Sequence, residues 1–378
     1  MKKIVIILVV FSLINLNFFQ LTGPITTRRL ALVLLTFLWL LKFKSKVKNN
    51  IKDINLISGS IIIFSLIMSI LQNSIYEFNY QLLQFVLLLY TINIINLVIT
   101  SYNLHFNIRD FIFFTKTSFF LILFYFIYIL LYEPISFQSL YSLRYLSSES
   151  TNFNLNVLIN TLVVVTVISI FSCILSKGVE RFLLINITLF FIVIIFFSFS
   201  RQSIFSILGV FMIIILHYFK RMKWLFFLLL PTIVFLVIDD ILFFIEIISG
   251  RFGNGGDSKR IFAYVNGFNN FLNSPWGLGL GNYTLLNQTY FKVLESGHLQ
   301  VLVELGLIYF IAYLLGIYKL FKRLKRIINP TIKLLTVSIF FVIIFMAFFN
   351  EIIFTSITVI PLYFFLTQTQ TQTQTQTH

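Results

Sequence analysis

Long apolar runs separated by short polar interruptions follow one another from end to end of the chain. They cover residues 4–20, 30–42, 54–71, 80–100, 111–132, 157–175, 182–199, 203–219, 224–245, 299–318, 332–349 and 352–366. A helix needs roughly 20 mainly apolar residues to cross a hydrocarbon core about 30 Å thick. The pattern therefore predicts an all-α integral membrane protein with about twelve transmembrane helices. The second and last runs are short and fit tilted or re-entrant segments as well.

Two connections stand out: Glu133 to Asn156, and about Glu246 to His298. Most others are only long enough to turn the chain, and long ordered loops are usually functional. Within the second, Asp257-Ser258 precede apolar residues at 261, 264, 265, 268, 271 and 272, a helical spacing with either residue available as N-cap. This predicts an amphipathic helix on the membrane surface.

Charge sets the expected orientation. Cytoplasmic connections carry the excess of Lys and Arg. With the N-terminus inside, that side receives Lys42, Lys44, Lys46, Lys48 and Lys52, then Lys177 with Arg181, then Lys220, Arg221 and Lys223, and the run from Lys319 to Lys333. The opposite side receives Glu77, Glu133, Glu149, Asp239, Asp240, Glu246, Asp257, Glu295 and Glu351. Both long connections are then extracytoplasmic and both termini cytoplasmic.

Composition agrees: 58% of the residues are hydrophobic and 11% charged, against about a quarter charged in a soluble domain. The net charge of +15 is spread in clusters between apolar runs, which fits membrane topology rather than a nucleic-acid partner. The single cysteine, Cys173, lies inside an apolar run and offers no disulfide or Cys-based metal site. Met1-Lys2-Lys3 opens the first run as in a signal peptide, but no small-x-small cleavage site precedes Leu21, so a retained span is expected. Residues 1–366 read as one polytopic domain. The Thr-Gln repeat at 367–378 reads as a disordered tail.

Few residues could carry chemistry. Arg201, between two apolar runs, is a permanent cation at membrane depth, where such groups usually face a cavity or partner. Its planar fork suits a phosphate, and snorkelling at a helix end is the other reading. Lys259 and Arg260 stand where lipid phosphates would be met, or anchor the helix at the interface. The turn Ser274-Pro275-Trp276-Gly277-Leu278-Gly279-Leu280-Gly281 allows close backbone approach, to shape a ligand cleft or merely to turn the chain. Spacing alone makes His298 foremost an interfacial or hydrogen-bonded structural histidine; with Glu295 as a carboxylate partner, a general base near neutral pH is the other reading. Glu304 lies about 240° around a helix from His298, off its face. No His and carboxylate cluster has metal-ligand spacing, so metal-independent chemistry without a cofactor is expected.

Four segments in this order resemble the O-antigen polymerase and O-antigen ligase superfamily of bacterial envelope glycosyltransferases. They are Arg144 through Asn152 with Asn154 and Asn156; Ser198-Phe199-Ser200-Arg201; Lys259-Arg260 through Pro275-Trp276-Gly277-Leu278-Gly279; and His298 through Glu304-Leu305-Gly306. The resemblance implies that Arg201 and Arg260, with Arg144 and Arg251 as secondary cations, hold the pyrophosphate of an undecaprenyl-linked oligosaccharide. His298 would activate the acceptor hydroxyl, and Glu295, Glu304 and Gly279 would support the site. Leu299 stands where the family commonly has Asn, and Gln202 where it has a small residue. The implied activity is polymerisation of O-antigen, capsule or exopolysaccharide, inverting or retaining, at the outer face of the cytoplasmic membrane. A chain-length regulator and a flippase are the implied partners. The ligase reaction onto a lipid A core is the alternative in the same family, and a twelve-span transporter or lipid-linked sugar flippase the alternative of another class.

Overall fold

A computed structural model describes residues 1–13, 27–42, 52–71, 80–102, 104, 108–132, 155–197, 201–218, 256–283, 296–325, 327 and 330–347. Its helices are α1 (Lys2–Leu13), α2 (Thr27–Leu41), α3 (Lys52–Leu71), α4 (Tyr80–Ser101), α5 (Ile108–Tyr132), α6 (Leu155–Leu175), α7 (Gly178–Phe197), α8 (Arg201–Tyr218), α9 (Gly256–Asn273), α10 (Gly297–Lys325) and α11 (Pro330–Ala347). Among the described residues there is no strand. Each apolar run up to residue 219 carries a helix, as do those beginning at 299 and 332. The runs 224–245 and 352–366, most of the loop 133–156, Arg144, Arg251, Glu295 and the Thr-Gln tail lie outside the described residues.

Helix α6 is the centre of the bundle. Every residue from 159 to 172 is buried, and α5, α7, α8 and α11 all pack on it. Its β-branched run Val163-Val164-Val165-Thr166-Val167-Ile168 would favour a strand in water. Inside an apolar bundle the backbone must satisfy its own hydrogen bonds, which selects the helix. Buried hydroxyls do the same: Thr166 Oγ1 donates to the Leu162 carbonyl at 2.7 Å and Ser172 Oγ to that of Ile168 at 2.9 Å. Cys173 touches Thr188 across the α6–α7 interface, 3.2 Å from Sγ to Oγ1, as expected of a packing residue. Between these helices Gly178 adopts φ +58°, the left-handed turn that lets α7 fold back on α6.

Many large apolar side chains among the described residues lie on the outside of the bundle. Phe182, Phe120 and Ile308 are 69%, 65% and 64% exposed, which in a water-soluble protein would form an aggregation surface. Among the described residues, Gly178–Phe196, Gly297–Lys319 and Pro330–Ala347 are long and apolar enough to cross a membrane; Leu30–Leu41, Asn55–Leu71, Phe85–Ser101, Ile159–Leu175 and Gln202–Tyr218 are shorter apolar helices. The chain is a membrane protein, helical throughout its regular structure among the described residues.

Two expectations change. The amphipathic helix is present, but it starts at Gly256, so Asp257 and Ser258 lie in its first turn rather than ahead of it. Its apolar stripe also divides. Phe271 packs with Leu278, Tyr283 and Val303, while Val265, Phe268 and Leu272 remain about half exposed. The span expected at 299–318 is interrupted: Gly306 has φ +80° and ψ 178°, breaking α10 into limbs 297–305 and 307–325.

Candidate functional site around the broken helix

The bend at Gly306 follows from what surrounds it. The segment Pro275 to Gly279 runs alongside the break. Leu307 N donates to the Pro275 carbonyl at 3.0 Å, Leu278 N to Val303 at 3.2 Å, and Gly279 N to Glu304 at 2.6 Å. Carbonyls that a helix end would leave without partners are thus satisfied by a neighbouring strand-like segment. The fit requires glycine on both sides. A Cβ on Gly306 would run into the Trp276 carbonyl, and one on Gly277 would stand 2.6 Å from Gly306 N. Gly277 and Gly279 both have positive φ.

The same segment is fastened to α3. Leu280 N donates to Ser65 Oγ at 3.0 Å, Ser65 Oγ to the Ile61 carbonyl at 2.8 Å, and Ser69 Oγ to Asn282 Oδ1 at 3.0 Å. Asn282 Nδ2 closes the turn onto the Leu278 carbonyl at 2.7 Å. Of the two readings left open for the glycine turn, this geometry makes it a clamp between α3 and the break in α10. Ser65→Ala would remove the hydroxyl that joins the Leu280 amide to the Ile61 carbonyl, and each hydrogen bond lost costs about 0.5–1.5 kcal/mol net. Thermal unfolding of the detergent-solubilised protein should show the loss.

Glu304 belongs to this clamp. It is 1% exposed, accepts a hydrogen bond from Gln300 Nε2 at 3.0 Å, and offers its carbonyl to Gly279. Tyr283, fully buried beside it, has its phenol pushed above the ordinary range by burial, with Asn266 acting against that shift and the nearby Glu304 carboxylate adding to it. The phenol therefore stays protonated at neutral pH.

His298 stands at the start of the first limb. Ser296 precedes it as a cap, its Oγ accepting from Leu299 N at 3.4 Å. The imidazole Nε2 lies 3.1 Å from the Ile344 carbonyl of α11, and Nδ1 lies 2.8 Å from the Tyr313 hydroxyl. In a straight helix the Cα atoms of residues 298 and 313 would be about 22 Å apart, beyond the reach of both side chains. Only the fold-back at Gly306 brings them together. A carbonyl can only accept, so the neutral imidazole carries its proton on Nε2, and its Nδ1 lone pair accepts from Tyr313.

Arg201 is the first residue of α8. Next to it, Gln202 Nε2 donates to Asn160 Oδ1 of α6 at 3.1 Å, which ties the start of α8 to the central helix. Gln202, where the family commonly has a small residue, thus has a place in the packing. Helix α8 packs on α11, the helix that receives His298, with Gly209 against the Phe341 ring. Arg260 lies on α9, which packs on α10. Both arginines stand on helices that adjoin the elements holding His298.

Sequence reasoning missed Tyr313 and Asn160, and met Gln202 only as a departure from the family's pattern. Tyr313 lies in a run of aromatic and aliphatic residues and carries no local signal. Gln202 and Asn160 could have been noticed as amides within apolar runs, where such groups usually find an interhelical partner.

Residues 187–314, about a third of the chain, match the family model described as O-antigen ligase. The matched segment contains Arg201, Arg251, Arg260, Gly279, Glu295, His298, Glu304 and Tyr313, and leaves Arg144 outside. No curated protein and no solved structure matches the chain. Over this segment the resemblance to the O-antigen polymerase and ligase superfamily is borne out.

Proposed function

We propose that this membrane protein is a polysaccharide polymerase that transfers a growing glycan from undecaprenyl pyrophosphate onto the next lipid-linked repeat unit, at the outer face of the cytoplasmic membrane. The observation that carries this reading is a coincidence of segments. The stretch matching the O-antigen ligase family is the one that folds into the clamp and sets His298 on the limb that ends at the helix break. Its histidine takes the proton of the acceptor hydroxyl. Arg201 and Arg260, with Arg251 and Arg144 as further cations, bind the pyrophosphate and stabilise the charge it gains as the anomeric bond breaks. The donor already carries a good leaving group, so positioning and charge stabilisation supply most of the rate.

The twelve-span topology with both termini cytoplasmic belongs to this proposal. Contacts at and near the ends of several helices support it. Lys2 pairs with Asp110 and Lys116 with Glu180, each at 2.7 Å, and Lys42 stands 4.8 Å over the Tyr102 ring. All six residues fall on or toward the side assigned as cytoplasmic.

Arg201→Ala and Arg260→Ala test the assignment in the native cell. Removing one preorganised donor to a developing anion lowers turnover by about 10²–10³. Single repeat units on their lipid carrier should then accumulate, and Arg→Lys should restore little because the bidentate fork is lost. Long polymer stranded on the carrier would instead assign the ligase reaction. Normal glycan from both Ala variants, at normal protein levels, would remove the arginines from the site.

A further inference from the structure

Both ring nitrogens of His298 are engaged. Nε2–H is held by the Ile344 carbonyl at 3.1 Å and Nδ1 by the Tyr313 hydroxyl at 2.8 Å. The acceptor proton cannot go to Nε2, which already bears one, and Nδ1 is covered by Tyr313. A phenol oxygen, however, both donates and accepts. Tyr313 and His298 are each only partly buried, and their rings lie 5.7 Å apart between centroids. A hydroxyl arriving at this pair can meet the Tyr313 oxygen while that oxygen's own proton points at Nδ1.

We propose that Tyr313 relays the acceptor's proton to His298. The acceptor hydroxyl gives its proton to Tyr313 Oη as the Tyr313 proton passes to His298 Nδ1. The freed acceptor oxygen forms the bond to the donor's anomeric carbon. The bond from that carbon to the pyrophosphate breaks, and its electron pair leaves with the pyrophosphate. The imidazolium keeps its Nε2 proton on the Ile344 carbonyl and later returns the Nδ1 proton to the medium through Tyr313, in the reverse of the relay. Tyr313 ends the step as it began, a neutral phenol. No metal, oxidant or further reactant enters the balance. The inference rests on the reading of His298 as the base and adds to it the atom that receives the proton and the residue that delivers it.

The test uses the full-length protein in lipid nanodiscs, with lipid-linked oligosaccharide extracted from cells that make the glycan, followed over a single turnover. Tyr313→Phe keeps the ring and deletes the hydroxyl. It should slow transfer about a hundredfold without weakening donor binding, as expected for loss of a proton-transfer partner. Added to His298→Ala it should cause little further loss, because both changes abolish one step. The unaltered protein gives an independent reading. With two protons in flight, the rate in mixtures of light and heavy water should follow a curve rather than a straight line, which a purely structural tyrosine would not produce. A straight line overturns the relay, whether or not the variant folds. So does a Tyr313→Phe rate within about threefold of normal while His298→Ala is inactive. If His298→Ala itself remains active, it is the reading of the base that fails.

Discussion

Gly306→Ala should destabilise the protein by about 3 kcal/mol or more and abolish transfer, although the substitution adds one methyl group. Two effects combine. At φ +80° and ψ 178° the residue sits in a region open essentially to glycine, where another side chain costs about 1–3 kcal/mol. Its Cβ would also collide with the Trp276 carbonyl, a backbone atom that cannot swing away. Relief requires separating the Pro275–Gly279 segment from α10, with the three hydrogen bonds that join them, each worth about 0.5–1.5 kcal/mol net. Gly316, on the same helix, is the control. No atom lies within 4 Å of its Cβ position, so Gly316→Ala should be neutral, or stabilising by up to about 1 kcal/mol through helix propensity. Thermal unfolding in detergent compares the two. Equal effects at both positions would mean that α10 runs straight through 306.

His298→Ala should lower transfer by about 10²–10⁴, the usual contribution of a positioned acid or base. His298→Gln separates chemistry from packing. Its amide can still donate to the Ile344 carbonyl and accept from Tyr313, so the limb should stay in place and the unfolding temperature nearly unchanged. An amide is not basic at neutral pH, so transfer should remain lost. Accumulated lipid-linked repeat units in cells, and single-turnover rates in nanodiscs, read the outcome. A Gln variant within about tenfold of normal activity would make His298 a structural residue that spans α10 and α11.

The two sets of contacts explain why part of the site was legible in the sequence. His298 stood out because a titratable group at the edge of an apolar run is unusual, and the structure gives it partners on both nitrogens. The partner expected from spacing, Glu295, lies outside the described residues. Tyr313, one aromatic among many, is the partner the fold supplies. Spacing put Glu304 off the face of His298. Its use as part of a buried clamp, with Gln300 and the Gly279 amide, required knowing that residues 275–279 return to it. Gly277 and Gly279 announced a close approach without saying to what. Gly306 closed one of the four segments of the resemblance and gave no sign of a bend.

Hydrophobicity is a local property, and by itself it determined the membrane class, the positions of the helices and the amphipathic helix ahead of the clamp. Where backbone groups must be satisfied within the segment, an apolar run of sufficient length has one regular solution. The bend at Gly306, the pairing of its limbs with Pro275–Gly279, and the meeting of His298 with Tyr313 and Ile344 were decided only by the tertiary structure. Each depends on atoms brought together from distant parts of the chain, and a backbone can leave the helix inside an apolar bundle only where a neighbouring segment supplies the hydrogen bonds it gives up.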